Sequence, residues 1–113
     1  MAFAISLDLI RAELAQRVDV LVPLLCPNAE RAGTEWVMGD RYGAPGRSLS
    51  IPRRGKYAGG WKDFASGEKG GLLDLIADNA PACNGRIGEA VRWAIDWLRL
   101  GDVSAEERAR GEE

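Results

Sequence analysis

Histidine does not occur in the chain, and cysteine occurs twice, at Cys26 and Cys83, 57 positions apart. A structural zinc site needs four Cys or His ligands, usually delivered in close pairs, so a zinc site within one chain is excluded on donor supply. The same absence removes Ser-His-Asp and Cys-His catalytic arrangements. The two thiols read as reduced and buried rather than as a disulfide. No apolar run approaches the ~20 residues of a membrane span, and the start of the chain lacks the basic-then-apolar layout of a secretory leader. The expectation is a cytoplasmic protein with no membrane contact. A phosphate loop is missing too: "GEKGG" at 67–71 has neither the spacing nor the Lys-Ser/Thr end of one.

Acidic residues are absent from one long basic stretch. Between Arg41 and Lys62 lie six basic residues (Arg41, Arg47, Arg53, Arg54, Lys56, Lys62) and no Asp or Glu, although the whole chain carries a net charge of −2. A locally positive segment on a slightly negative protein is what one anionic partner would select. A solvated basic loop is the plainer alternative. From Ala105 onward the balance reverses, with four Glu against two Arg and few apolar residues.

The 113 residues are one domain by length. Residues 1–101 are read as that domain and 102–113 as a charged tail or the start of a linker. Ser6 followed by Asp8 is an N-cap signature, and Leu7, Ile10, Leu14 and Val18 recur at helical spacing, which predicts a helix over 7–16. Arg17 to Asp19 either continues that helix or bends it. "DVLVPLLCP" reads as a second short helix, with Pro23 either in its first turn or at a kink. The segments 34–39, 47–51 and 59–64 are short, favour β structure and are bounded by Gly or Pro, so they predict a three-stranded antiparallel meander. Trp36, Leu49 and Trp61 are its expected inward positions. "GLLDLIADNA" predicts a helix with Leu72, Leu75 and Ile76 inside and Asp74 and Asp78 outside. Asn84 is a candidate cap for the last helix, whose face is Ile87, Val91, Ala94, Ile95 and Leu98. Trp93 and Trp97 fall at its edge, and Gly101 at its end. The fold class is α+β: a small sheet flanked by two helices on each side in sequence.

Three segments in this order resemble the N-terminal zinc-ribbon domain of DnaG-type DNA primases, nearest to the phage- and plasmid-type primases and primase-helicases. They are "DVLVPLLCPNAERAGTEWVMG" (19–39), "GRSLSI" (46–51) and "GGWKDFASGEKGGLLDLIAD" (59–78). The resemblance implies a zinc-ribbon-like meander, but the implied ligand positions hold Gly39, Tyr42, Asp63 and Ser66, so the ribbon would be metal-free and without cofactor. A plug of Trp61, Phe64 and Trp36 is expected where the metal would sit, since each buried aromatic removes ~150–250 Å² from water.

The family implication is a non-catalytic module that contacts single-stranded template DNA for a separate polymerase domain, in replication. The residues expected to do so are Arg41, Tyr42, Arg47, Arg53, Arg54, Lys56, Tyr57 and Lys62. Cations neutralise phosphates, and an exposed Tyr offers a base a stacking surface. Arg53 and Arg54 are expected to be replaceable by Glu without unfolding the domain. The alternative is a protein-interaction module or a small mobile-element inhibitor that docks on a host primase, polymerase or helicase, using apolar surface near Trp93 and Trp97. An enzyme has no support, because Asp74 and Asp78 beside a Leu stripe read as a solvated face.

Overall fold

The structure, a computed structural model, describes residues 6–99. The expected tail over 102–113 and the helix end at Gly101 lie outside them.

Helix α1 (Leu7–Ala15) begins where expected, because Ser6 Oγ accepts the Leu9 amide at 3.1 Å. It buries Ile10 and Leu14. The chain bends at Gln16–Arg17 and restarts as α2 (Val18–Leu25), which buries Val18, Leu21 and Val22. Pro23 lies inside α2, in its final turn. There the missing N–H forfeits a single helical bond, and the helix ends two residues later.

The sheet is larger than the sequence predicted. It has five antiparallel strands rather than three, in the order β1 (Glu30–Ala32), β2 (Glu35–Met38), β3 (Leu49–Pro52), β4 (Trp61–Asp63) and β5 (Lys69–Gly70). Strands β2, β3 and β4 overlap the three segments expected to be strands, but they lie inside a five-stranded sheet rather than forming a three-stranded meander by themselves. The added edges come from short local turns. Gly33 and Thr34 alone separate the paired residues Ala32 and Glu35, and Gly33 takes the positive φ of 62° that such a tight hairpin requires. Beyond β4 the chain reverses over 64–68, and Trp61 and Lys62 pair with Gly70 and Lys69.

Alternation along the strands gives the sheet two faces. Trp36, Met38, Leu49, Ile51 and Trp61 point to the helices and share one buried cluster with Leu14, Leu21, Leu75, Ile76, Ala90 and Ala94. Helix α3 (Leu72–Asn79) buries Leu72, Leu73, Leu75, Ile76 and Ala77. A 3-10 turn (Pro81–Cys83) leads to α4 (Ile87–Leu98). The cap of α4 is Arg86, not Asn84, which sits in the left-handed region at the end of the 3-10 turn. The buried stripe of α4 is Ala90, Ala94 and Leu98, with Val91 and Ile95 partly buried against it, while Ile87 is exposed. Trp93 and Trp97 stack with ring centroids 5.8 Å apart and pack partly buried against the core. Both cysteines are buried and free.

Two glycines explain the Gly-rich wording of 59–71. Gly59 has φ +85°, and a Cβ there would meet the Leu72 side chain at 2.6 Å. At Gly70 a Cβ would meet both the Trp61 ring and Asp74 Oδ2 at 2.7 Å. Trp61 fills the corner between β4, β5 and α3, and its Nε1 donates to the Gly71 carbonyl at 2.9 Å.

Candidate nucleic-acid interface

The strand directions sort the candidate residues into two groups at opposite ends of the sheet. The β2–β3 loop and the β4–β5 turn lie at one end and carry Arg41, Tyr42, Arg47 and Phe64. The β3–β4 loop lies at the other and carries Arg53, Arg54, Lys56 and Tyr57. Strand β3 between them spans roughly 10 Å, three residue steps at ~3.4 Å. Lys62 links the groups, for the pairing register sets Glu30, Val37, Ser50, Lys62 and Lys69 in one row on the face away from the helices. The row is acidic at the β1 edge and basic at β4 and β5.

Phe64 is not part of the plug. Trp61 and Trp36 are buried, at 2% and 9% exposure, but Phe64 is 69% exposed. The reason is the period of two: Trp61 and Asp63 point inward, so Lys62 and Phe64 point outward. The Lys62 ammonium stands 5.3 Å from the centre of the Phe64 ring. At the other end the Lys56 ammonium stands 5.7 Å from the Tyr57 ring, and Tyr57 is 72% exposed. Tyr42 is also exposed. These are three uncovered aromatic rings, each with a cation over it.

Two of the expected cationic residues are committed to the fold. Arg53 donates from Nε and Nη2 to the two Asp19 oxygens at 2.7 and 2.8 Å and from Nη1 to the Gly33 carbonyl at 2.9 Å. Only 9% of its side chain is exposed, so Arg53→Glu would put two carboxylates in contact. The expectation that the Arg53–Arg54 pair can be reversed without structural cost is therefore corrected for Arg53. Its partner Asp19 also accepts from Trp36 Nε1 at 2.9 Å. These bonds, that from Arg53 foremost, hold the Asp19 carboxyl well below the usual carboxylate range despite some burial.

Arg41 is the second. Its Nε donates to Asp78 Oδ2 at 2.6 Å and its Nη1 to Glu68 Oε2 at 3.1 Å. Its guanidinium lies 5.3 Å from the Trp61 ring centre and 5.9 Å from that of Tyr42. The Asp78 hydrogen bond, more than any other contact, strengthens its hold on its proton. Asn79 Nδ2 donates to the Arg41 carbonyl, fixing the backbone as well. Asp78 is thus a structural anion, and Asp74 accepts the Gly71 amide at 2.8 Å at the start of α3. Arg47 sits 4.0 Å from Glu30, both largely exposed. Arg54, Lys56, Lys62 and Lys69 are exposed and form no ion pair among the described residues.

The turns that the family resemblance assigns to metal ligands are held by carboxylates. Asp40 Oδ1 accepts the amides of Tyr42 at 2.9 Å and Ala44 at 3.2 Å. Asp63 Oδ1 accepts the Ser48 hydroxyl and the amides of Ala65 at 2.9 Å and Ser66 at 3.4 Å. The Ser48 hydrogen bond leads the causes that lower the Asp63 pKa. Gly39 donates its amide to the Ala44 carbonyl at 2.6 Å, and Tyr42 points outward into solvent. Among the described residues no cluster of three or more His, Cys, Asp or Glu is placed to hold a metal ion, and no helix is long and apolar enough to cross a membrane.

Phe64 and Lys69 are exposed residues on this face that the sequence reading did not include among its candidates. Extending the alternation of Trp61-Lys62-Asp63 by one step would have turned Phe64 outward. In comparisons with known proteins, no family model, curated protein or solved structure matches the chain.

Proposed function

We propose that the chain is a non-catalytic, primase-type nucleic-acid-binding module that takes a single strand across the outer face of its sheet. The observation that carries this reading is the Lys62–Phe64 pair beside Lys69 on a face turned away from the helices. The Phe64 ring is 69% exposed and so open to a partner. Unpaired bases stack on such rings for ~1–3 kcal/mol each, whereas a duplex hides its base faces. Lys56–Tyr57 and Arg54 at the far end give the strand a second stacking ring and more phosphate contacts. Tyr42 and Arg47 extend the face at the near end. Support from the sequence is the order of motifs that resembles primase ribbons.

Protein docking is the second reading, and one observation favours it. Val20 and Leu24 are 61% and 55% exposed at i, i+4 spacing on α2. Trp93 and Trp97, where sequence placed that surface, are rim packing instead.

The deciding experiment is a fluorescence-anisotropy titration of a labelled single strand with wild-type protein and with the Lys62→Glu plus Lys69→Glu variant. Both side chains are exposed, so the variant is expected to fold, verified by circular dichroism, and to lose most of its affinity. A folded variant that binds as wild type would remove the interface from this face.

A further inference from the structure

Arg41 has two anionic partners of different character. Asp78 is anchored on α3, and 11% of its side chain is exposed. Glu68 stands on the β4–β5 turn with 50% of its side chain exposed and one contact to Arg41. An exposed ion pair of this kind is worth little, because solvent screens it and a long side chain must be held still. The Asp78 bond, short and sheltered, keeps the guanidinium in place whatever Glu68 does. Among the described residues Nη2 has no acceptor, so Nη1 and Nη2 together could fork onto two phosphate oxygens if Glu68 moved aside. The site already faces the right surroundings. The exposed Tyr42 ring centre lies 5.9 Å from the same guanidinium, and Lys69 follows Glu68 in the chain.

We propose that Glu68 is an intramolecular competitor for nucleic-acid phosphate at Arg41: its carboxylate occupies the outer edge of the guanidinium in the free protein and is displaced when a strand binds. The inference rests on the nucleic-acid reading above and adds its regulation. In the bound state Arg41 stays on Asp78, a phosphate replaces Glu68, and the adjacent base stacks on Tyr42. The carboxylate lowers affinity twice, by shielding a cation and by repelling the incoming phosphate, and so limits retention on any one strand.

The test is Glu68→Gln, with Asp8→Asn as a control that makes the same charge change on an exposed position of α1. Affinity for a labelled oligothymidylate is measured across a salt series. Glu68→Gln should bind roughly 3- to 10-fold more tightly across the series, because the bound state makes the same phosphate contact at Arg41 in both proteins and only the competing carboxylate is gone. Asp8→Asn should match wild type. Wild-type binding that Glu68→Gln fails to exceed, or exceeds no more than Asp8→Asn does, overturns the competitor role and leaves the interface standing. Absence of binding by both wild type and Glu68→Gln overturns the interface and this inference together. Binding that appears only in Glu68→Gln supports both.

Discussion

Replacing Trp61 by alanine should take away a large share of the stability of the domain, and replacing Phe64 should take away almost none. Trp61 is 2% exposed, is packed against Gly70, hydrogen-bonds the Gly71 carbonyl and supports the Arg41 guanidinium. Burial of ~150–250 Å² at ~25 cal/mol/Å² gives about 4–6 kcal/mol for the ring. Measured losses for Phe or Trp to Ala in packed cores run ~3–5 kcal/mol. A domain of this size has roughly 5–15 kcal/mol in total. Trp61→Ala would then sit near the unfolding threshold. Phe64, at 69% exposure, should change stability by about 0.5 kcal/mol or less. Urea melts followed by far-ultraviolet circular dichroism separate the two, since four tryptophans make fluorescence ambiguous. With a slope of ~1–3 kcal/mol per molar, the Trp61→Ala midpoint should fall by roughly 2 M and that of Phe64→Ala should hold. A loss under about 1 kcal/mol for Trp61→Ala, or comparable losses for both, would refute the assignment of Trp61 alone to the corner between β4, β5 and α3.

Further outcomes follow from the Arg53–Asp19 pair and from the hydrogen bonds of Asp63. Arg54→Glu should fold as wild type, because Arg54 is exposed, whereas Arg53→Glu should melt well below it by thermal denaturation, because Arg53 holds Asp19 and the Gly33 carbonyl. Equal melting of the two would show the Asp19 contact to be dispensable. Asp19 and Asp63 both have folded pKa values below their ordinary range, through Arg53 and Ser48 respectively. Their contribution is therefore complete above the unfolded value near 4 and is lost as pH falls through the folded values. Stability measured by urea melts should be level from pH 7 to 5 and decline below about 4. Asp63→Asn should be less stable than wild type at pH 7 and decline less in acid; an unchanged acid profile would show that Asp63 carries no linkage.

The helices were legible because their signals are local. Ser6 caps α1, and the leucines of α3 repeat at helical spacing. The central strands were legible for the same reason, as short β-favouring runs between glycines. Strand β1 was hidden by composition: Glu30-Arg31-Ala32 is polar and three residues long, and only its pairing with β2 makes it a strand. Strand β5 is two residues, Lys69-Gly70, and has no pattern to read. The basic stretch was visible as charge, but its division was not. Arg41 meets Asp78 across 37 positions and Arg53 meets Asp19 across 34, so no local window contains either pair. Topology then separated what the sequence had grouped, sending 53–57 to one end of the sheet and 41–47 to the other. Phe64 was misassigned because its neighbour Trp61 made an aromatic plug attractive, although Asp63, buried to hold the turn, fixes the alternation that turns Phe64 outward.

The central claim is that the outer sheet face binds a single strand through its cations and rings. Its most direct test is the wild-type titration with a labelled single strand at 50 and 200 mM salt. If Arg54, Lys56, Lys62 and Lys69 neutralise three or four phosphates, a slope of about −0.7 per phosphate gives a fall of roughly 20- to 50-fold in affinity between those conditions. The protein should bind with that salt dependence, and more weakly to a duplex of the same length. Absence of binding at 50 mM, or binding indifferent to salt, would contradict it.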